Sequence, residues 1–261
     1  MTAEEEWNQL LSVAISQIRR TLQTLREMKV SGDDLWFKNL LCGILDCALS
    51  DYQSVEAGIR ESIPMAAWGR RNLLELRTIT EYVLASAKNA ADFKNDFVID
   101  VKEFWDAMTA IQKDSHNKLL SMLAEQIDKV EGSERDLLKQ AYETESKSGP
   151  QTQSTEEEAA AYKKLMADLG LKDNAQPKRV SEMAKLLDQK KEFDPAFKVS
   201  SKLVHRTALS IASSNIKGSL DELQPFISKQ AAYDLLEIYG LINSYIKANS
   251  LRPPSKGSSP H

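Results

Sequence analysis

The densest cluster of chemically capable side chains in the sequence lies within a short segment around residue 75. Arginine, glutamate, threonine and tyrosine alternate there with leucine, isoleucine and valine. Residues three or four apart share one face of a helix, so these polar side chains divide into two stripes. One stripe consists of Arg71, Glu75, Thr78 and Tyr82, and the other consists of Arg70, Arg77 and Glu81.

Apolar residues crowd the first stripe and leave it only a narrow polar sector. We therefore expect Arg71 and Glu75 to be partly buried. A buried ion pair is costly unless it is fully hydrogen-bonded, and a ligand site or a network that orients helices would explain that cost. The alternative is a solvated charged face, where such a pair contributes only about 0.3 to 0.5 kcal/mol.

A second polar pair lies nearer the C-terminus, where Ser201 and His205 are four residues apart. Both residues fall on one face of another expected helix, which can meet the first stripe across a bundle. For His205 alone, the alternative is a histidine at the edge of the core, held by a carboxylate or a carbonyl. The candidate ligand-binding residues are therefore Arg71, Glu75, Tyr82, Ser201 and His205.

Common catalytic and cofactor motifs are absent from the sequence. The chain has three histidines and contains neither His-Glu-x-x-His nor Glu-x-x-His, so a zinc or di-iron site lacks its usual ligands. The glycine motifs of phosphate loops, Rossmann domains and α/β-hydrolases are missing as well. We predict no metal and no cofactor, and the sequence assigns no catalytic residue.

A divergent ribonuclease or another phosphodiester enzyme is the alternative that uses His205. Helical ribonucleases of the HEPN type carry an arginine four to six residues before a histidine, and neither His116 nor His205 has an arginine at that distance. Such an enzyme would need His205 together with nearby lysine and arginine side chains. Whether the chain is an enzyme stays open at this stage.

The region from 178 to 206 is locally basic, with eight lysine or arginine residues against four acidic ones. A basic region can receive phosphate, but aromatic side chains are limited there to Phe193 and Phe197, so nucleic acid is only weakly indicated. A solvated helix face explains the charges equally. A small ligand, a partner helix or a second copy of the chain are further candidates, because long amphipathic helices pair readily.

Composition places the chain among folded globular proteins. Of its 261 residues 42% are hydrophobic and 28% are charged, and the net charge of -4 does not require a polyanionic partner. Cys42 and Cys47 do not have a redox or zinc spacing, which favours free thiols in a reducing compartment. The acidic N-terminus does not resemble a secretion signal, and no apolar stretch approaches a membrane span. We predict a cytoplasmic protein.

Apolar residues repeat every three to four positions along most of the sequence, which predicts an all-α fold: a multi-helix bundle of long antiparallel helices. The first helix ends near Lys29, the third has Pro64 in its first turn, and weak helix formers at 114–117 suggest a break in the fourth. Inward-facing residues of the third helix include Trp68, Leu73, Leu76, Ile79 and Val83. The other expected helices span 33–58, 92–132, 155–169, 180–187, 193–214 and 220–248, and a fifth helix follows Ser133.

The linker-like stretch 146–154 suggests how the chain is organised. We predict an N-terminal bundle segment at 1–132 and a linker-bearing helical excursion at 133–190. Residues 191–249 then complete the same bundle. Two adjacent prolines and the lack of an apolar period predict a disordered tail at 250–261.

The segment Arg70 to Leu76, the later Tyr82, and the pair Ser201 and His205 resemble a bacterial family of helical proteins known as domain of unknown function 5677. The resemblance covers the second to fourth helices and residues 190–248, and leaves out 133–190. It implies that Arg71, Glu75, Ser201 and His205 belong together. It implies no activity, so the leading hypothesis is a ligand-sensing or interaction domain with a buried network of arginine, glutamate and histidine.

Overall fold

The computed structural model describes residues 3–204 and 223–249, and every regular element within these ranges is a helix. The predicted all-α fold is thereby confirmed. The predicted tail at 250–261 lies outside the described residues. The helices are α1 Ala3–Glu27, α2 Asp33–Glu61, α3 Ile63–Ala85, α4 Ala87–Ile127, α5 Gly132–Ser148, α6 Gln153–Asp168, α7 Val180–Leu186, α8 Lys190–Val204 and α9 Leu223–Asn249.

The chain divides into two compact units, one formed by 1–91 with 178–261 and the other by 92–177. These boundaries differ from the predicted breaks after residues 132 and 190. The predicted break at residue 132 is not a unit boundary, because α4 and α5 belong to the same unit. In addition, α7 packs on α3, since Ala184, Leu74 and Phe193 form one apolar cluster.

Helix α3 is the centre of the first unit, where it contacts α2, α7, α8 and α9. Its sequence explains this position, because small or apolar residues occur on several of its sides and leave few positions for solvent. Leu73, Val83, Leu235 and Ile238 are all completely buried. Trp68 does not face inward as predicted: it is 48% exposed, and Leu76 and Ile79 are only half-buried.

Helices α2 and α3 approach closely because two glycines lie in their interface. A Cβ atom at Gly69 would be 2.6 Å from the Asp51 carbonyl oxygen, and one at Gly58 would be 2.3 Å from the Ala66 backbone nitrogen. No side chain fits at either position without moving a helix backbone. Pro64 is in the first turn of α3, as predicted, where its missing N–H costs no hydrogen bond.

The second unit is built from α4, α5 and α6. Helix α4 runs for 41 residues without the break predicted at 114–117. Contacts to both other helices support this weak segment: His116 Nδ1 lies 3.1 Å from Glu145 Oε1, and Gln112 accepts a hydrogen bond from Thr155. Helix α6 begins at Gln153, two residues before the predicted start. Val98, Ile99 and Met166 form the core of this unit.

None of the helices in the described ranges contains a stretch that is both long and apolar enough to cross a membrane.

Replacing Gly69 by alanine tests the close packing of α2 on α3. We expect Gly69→Ala to lower the free energy of unfolding by about 1 to 3 kcal/mol or more, because the new methyl group meets backbone atoms that cannot move independently. Urea denaturation measures this change. Gly43 is the matched control: it lies within α2 with nothing within 4 Å of an added Cβ, so Gly43→Ala should stabilise the protein by about 0.5 to 1 kcal/mol. Equal effects of the two substitutions would contradict the packing described.

Candidate functional site

The two stripes of α3 have different environments. Arg70 is 4% exposed, so the second stripe contributes a buried arginine. In the first stripe, Arg71 Nε donates a 2.9 Å hydrogen bond to Glu75 Oε1, and the two side chains are 24% and 27% exposed. The Arg71 guanidinium also lies 4.4 Å from the centre of the Phe197 ring. The expectation that Arg71 and Glu75 are partly buried is confirmed.

The remaining predicted site residues have separate surroundings. Tyr82 is buried, and the Lys178 ammonium lies 5.6 Å from the centre of its ring. Ser201 is half-buried on α8, next to the buried Ser200. His205 lies outside the described residues. The predicted cluster of arginine, glutamate and histidine therefore stays a prediction, and nothing described favours the ribonuclease alternative that depends on His205.

A different polar network occupies the interior of the first unit, and its centre is Asp234 on α9. Asp234 is 1% exposed, and its Oδ1 accepts a 2.8 Å hydrogen bond from Arg77 Nη1. Arg70 Nε lies 3.9 Å from Asp234 Oδ2 on the other side. Two arginines of α3, seven residues apart and so on one helix face, thus share one carboxylate of α9.

Arg70 extends the network to α8. Its Nη1 donates 3.0 Å hydrogen bonds to the Ala196 carbonyl oxygen and to Ser200 Oγ. Ser200 Oγ in turn lies 3.1 Å from the same carbonyl, as a hydroxyl that bonds back to the preceding helical turn. One guanidinium therefore joins α3, α8 and α9.

Arg77 forms the outer edge of the network. Its Nε lies 3.6 Å from Glu81 Oε1, and its guanidinium lies 5.5 Å from the centre of the Tyr233 ring. Glu81 also accepts a hydrogen bond from the Gln189 side chain, which comes from the connection between α7 and α8. The second stripe is consequently surrounded by partners from three other parts of the unit.

Burial dominates the electrostatics of this network. It raises the pKa of Asp234 from 3.8 to about 6, although Arg77 and then Arg70 oppose the increase. Burial also lowers the pKa of Arg70, against the effect of Asp234. Among the described residues, Arg70 Nε, Arg77 Nε and Asp234 Oδ2 are buried and have no hydrogen-bond partner. The network thus retains unused capacity to donate and accept hydrogen bonds.

A cavity of about 280 Å³ adjoins Arg70 where α3, α8 and α9 meet. Its apolar lining includes Ala67, Leu203, Phe226 and Ile227, and its polar lining consists of Arg70, Ser200, Glu192 and Gln230. This volume is close to the lower end of the range that is usual for small-molecule sites. The cavity therefore suits a small and largely apolar molecule with one end that accepts hydrogen bonds from a guanidinium.

Sequence reasoning separated the two stripes correctly but assigned the site to the first one, and it did not single out Asp234. A signal was present: Asp234 is one acidic residue between Ala231, Ala232, Leu235 and Ile238, all of which are buried. An acid at a core position of an amphipathic helix indicates a buried partner of opposite charge.

Known proteins give no further guide to this site. In residues 3–204 and 223–249, no three side chains of His, Cys, Asp or Glu form a group that could hold a metal ion. No protein-family profile, curated protein sequence or solved structure matches the chain.

The raised pKa of Asp234 predicts a pH dependence of stability. Between its ordinary value of 3.8 and about 6, the folded protein holds the proton on Asp234 while the unfolded chain has released it. The contribution of Asp234 to the free energy of unfolding is therefore largest below about pH 4, and it is lost as the pH rises through about 6. We expect a loss of up to about 3 kcal/mol of unfolding free energy across this window.

Asp234→Asn isolates this contribution, because asparagine keeps the shape but does not titrate. Urea denaturation of both proteins at several pH values from 4 to 7.5 gives the difference between their stabilities, in which the effects of other carboxylates cancel. Wild type should lose stability relative to Asp234→Asn as the pH rises. A constant difference, or one that changes in the opposite direction, would show that burial does not raise the pKa of Asp234.

Proposed function

We propose that this protein is a ligand-sensing domain whose binding site is the cavity beside Arg70. The observation that carries the proposal is Arg70, a buried arginine that lines the cavity and donates hydrogen bonds to Ala196 and Ser200, which line it too. A buried cation costs free energy unless it has charged or polar partners, and a bound anion would add such a partner. The leading hypothesis from the sequence is kept, but its site is moved from Arg71 and Glu75 to Arg70.

The chemistry of the cavity favours a small monocarboxylate. Arginine binds carboxylates through parallel N–H groups, and its fixed charge persists when it is buried. The apolar lining from α3, α8 and α9 provides contact for a short hydrocarbon or aromatic body. Asp234 and Glu81 already balance Arg70 and Arg77, and Glu192 adds a negative charge to the cavity lining. A single negative charge is therefore a better match than a dianion.

The same geometry supports sensing rather than catalysis. The polar groups around Arg70 are a second arginine, an acid held by both arginines, a serine hydroxyl bonded to its own helix, a glutamate and a glutamine. These groups can bind and orient a ligand, and none of them forms the pairing of a nucleophile with a base that acyl transfer needs. A ligand that contacts α3, α8 and α9 together would change how firmly the three helices are held.

Family membership and location form part of the same proposal. Arg70 to Leu76 and Tyr82 carry the resemblance to the bacterial family domain of unknown function 5677, and the proposal extends to these relatives a binding role without an activity. The absence of a membrane-spanning helix in the described ranges is compatible with the proposed cytoplasmic location.

Thermal unfolding with benzoate and hexanoate tests the proposal, with benzyl alcohol and hexanol as uncharged analogues. We expect each acid to raise the Tm of the wild-type protein with the logarithm of its concentration once that exceeds the Kd, and each alcohol to raise it far less. Arg70→Gln should abolish this increase, since it removes the charge that binds the carboxylate. Val199→Trp, which places a large side chain at the cavity lining, should weaken binding while leaving Arg70 in place.

Arg71→Gln is the matched control, because Arg71 is the neighbouring arginine and does not line the cavity. Binding that survives Arg70→Gln and is lost in Arg71→Gln would move the site to the Arg71 and Glu75 pair. No effect of any acid on the wild-type protein would contradict the proposed ligand class. Far-UV circular dichroism of each variant establishes that it is folded before binding is compared.

A further inference from the structure

An exposed apolar stripe runs along α4 in the second unit. Phe97, Phe104, Ile111 and Met122 are 49%, 54%, 58% and 63% exposed, and the half-buried Val101 and Met108 lie between them. These six residues form the α4 stripe. Large apolar side chains in a continuous exposed row typically mark an interaction surface.

The spacing of the α4 stripe is that of a coiled coil. Its positions alternate by four and three residues from Phe97 to Ile111, and the same register continues through Ser115 and Lys118 to Met122. In heptad terms Val101, Met108, Ser115 and Met122 are a positions, and Phe97, Phe104, Ile111 and Lys118 are d positions. At about 1.5 Å per residue the register extends over about 38 Å of helix, enough for a paired interface.

We propose that the α4 stripe is the self-association surface of this protein, on which α4 of a second copy packs antiparallel. In an antiparallel pair, each a position faces a d position of the other helix. Centred between residues 109 and 110, this rule pairs Phe97 with Met122 and Met108 with Ile111 of the other copy. The two-fold axis repeats each contact, so the α4 stripe is complementary to itself.

The two polar positions of the register also fit this pairing. Phe104 faces Ser115, so the bulkiest side chain of one helix meets the smallest side chain of the other. Lys118 faces Val101 and lies beside Asp100, which precedes Val101 on the polar border of the stripe. Two symmetric ion pairs between Asp100 and Lys118 therefore accompany the apolar layers.

The charged residues along α4 favour an antiparallel pair with a second copy of this chain as the partner. Asp96, Asp100 and Glu103 lie together at the N-terminal end of the register, and after the effect of burial, Glu103 and Asp96 raise the pKa of Asp100. A parallel pair in register would place Lys118, a d position, against Lys118 of the other copy, whereas the antiparallel pair brings Lys118 to Asp100. Lys118 is free to turn, because its bond to Asp114 is between side chains that are 72% and 61% exposed and contributes little.

Sedimentation velocity of the full-length protein over a concentration series tests whether it dimerises through α4. We expect a monomer–dimer equilibrium that Phe104→Glu weakens by at least about tenfold, because the dimer would bury two new carboxylates. Leu137→Glu is the matched control, since Leu137 is 66% exposed on α5 and lies outside the register. A monomer at every concentration, or a dimer that Phe104→Glu and Leu137→Glu affect equally, would overturn the proposal.

The direction of pairing has its own measurement. In a Cys47→Ser background, which removes the exposed thiol, a mixture of Phe97→Cys and Met122→Cys proteins should form disulfide-linked dimers under mild oxidation. Each variant alone should cross-link slowly, and rapid cross-linking of Phe97→Cys alone would demonstrate a parallel pair and overturn the antiparallel register. Asp100→Lys should weaken the dimer, and Asp100→Lys combined with Lys118→Asp should restore it. Failure of the double substitution to restore the dimer would contradict the proposed ion pair.

Discussion

The first unit depends on how one buried carboxylate is shared between two arginines of its central helix. Asp234 places a negative charge at a position where apolar residues surround it, and Arg70 and Arg77 provide the compensating charge from α3. Removing these groups from water costs more than their attraction returns, which is why the pKa of Asp234 rises. We infer that the network contributes orientation more than stability, because it holds α3 in the register on α9 in which both arginines reach Asp234.

That constraint connects the packing of the core to the proposed site. Glycines at 58 and 69 let α3 approach α2 so closely that no side chain fits between their backbones there. This packing fixes one side of α3 and thereby the position of Arg70. The Ala196 carbonyl and the Ser200 hydroxyl, one turn apart on α8, accept its hydrogen bonds. The cavity beside Arg70 lies where α3, α8 and α9 meet around this group.

Sequence periodicity predicted the helices because burial of one face requires apolar residues every three to four positions, and most expected starts lie within a few residues of those observed. It could not predict the environment of each stripe on α3. Arg70 and Arg71 are adjacent and identical, and only the partners on α8 and α9 decide which of them is buried. Asp234 was missed for the same reason, because its partners lie far from it along the chain. Arg77, for example, is 157 residues away.

The continuity of α4 illustrates the opposite limit of sequence reasoning. Asp114 to Asn117 are weak helix formers, and propensity alone favours a break. In the structure, tertiary contacts of Gln112 and His116 with α6 and α5 offset that preference, which amounts to at most about 0.7 kcal/mol per residue. An unbroken α4 keeps the residues on both sides of this segment in a single register. A break there would separate Met122 from Phe97, Phe104 and Ile111, so the same contacts that stabilise the helix also maintain its exposed apolar stripe.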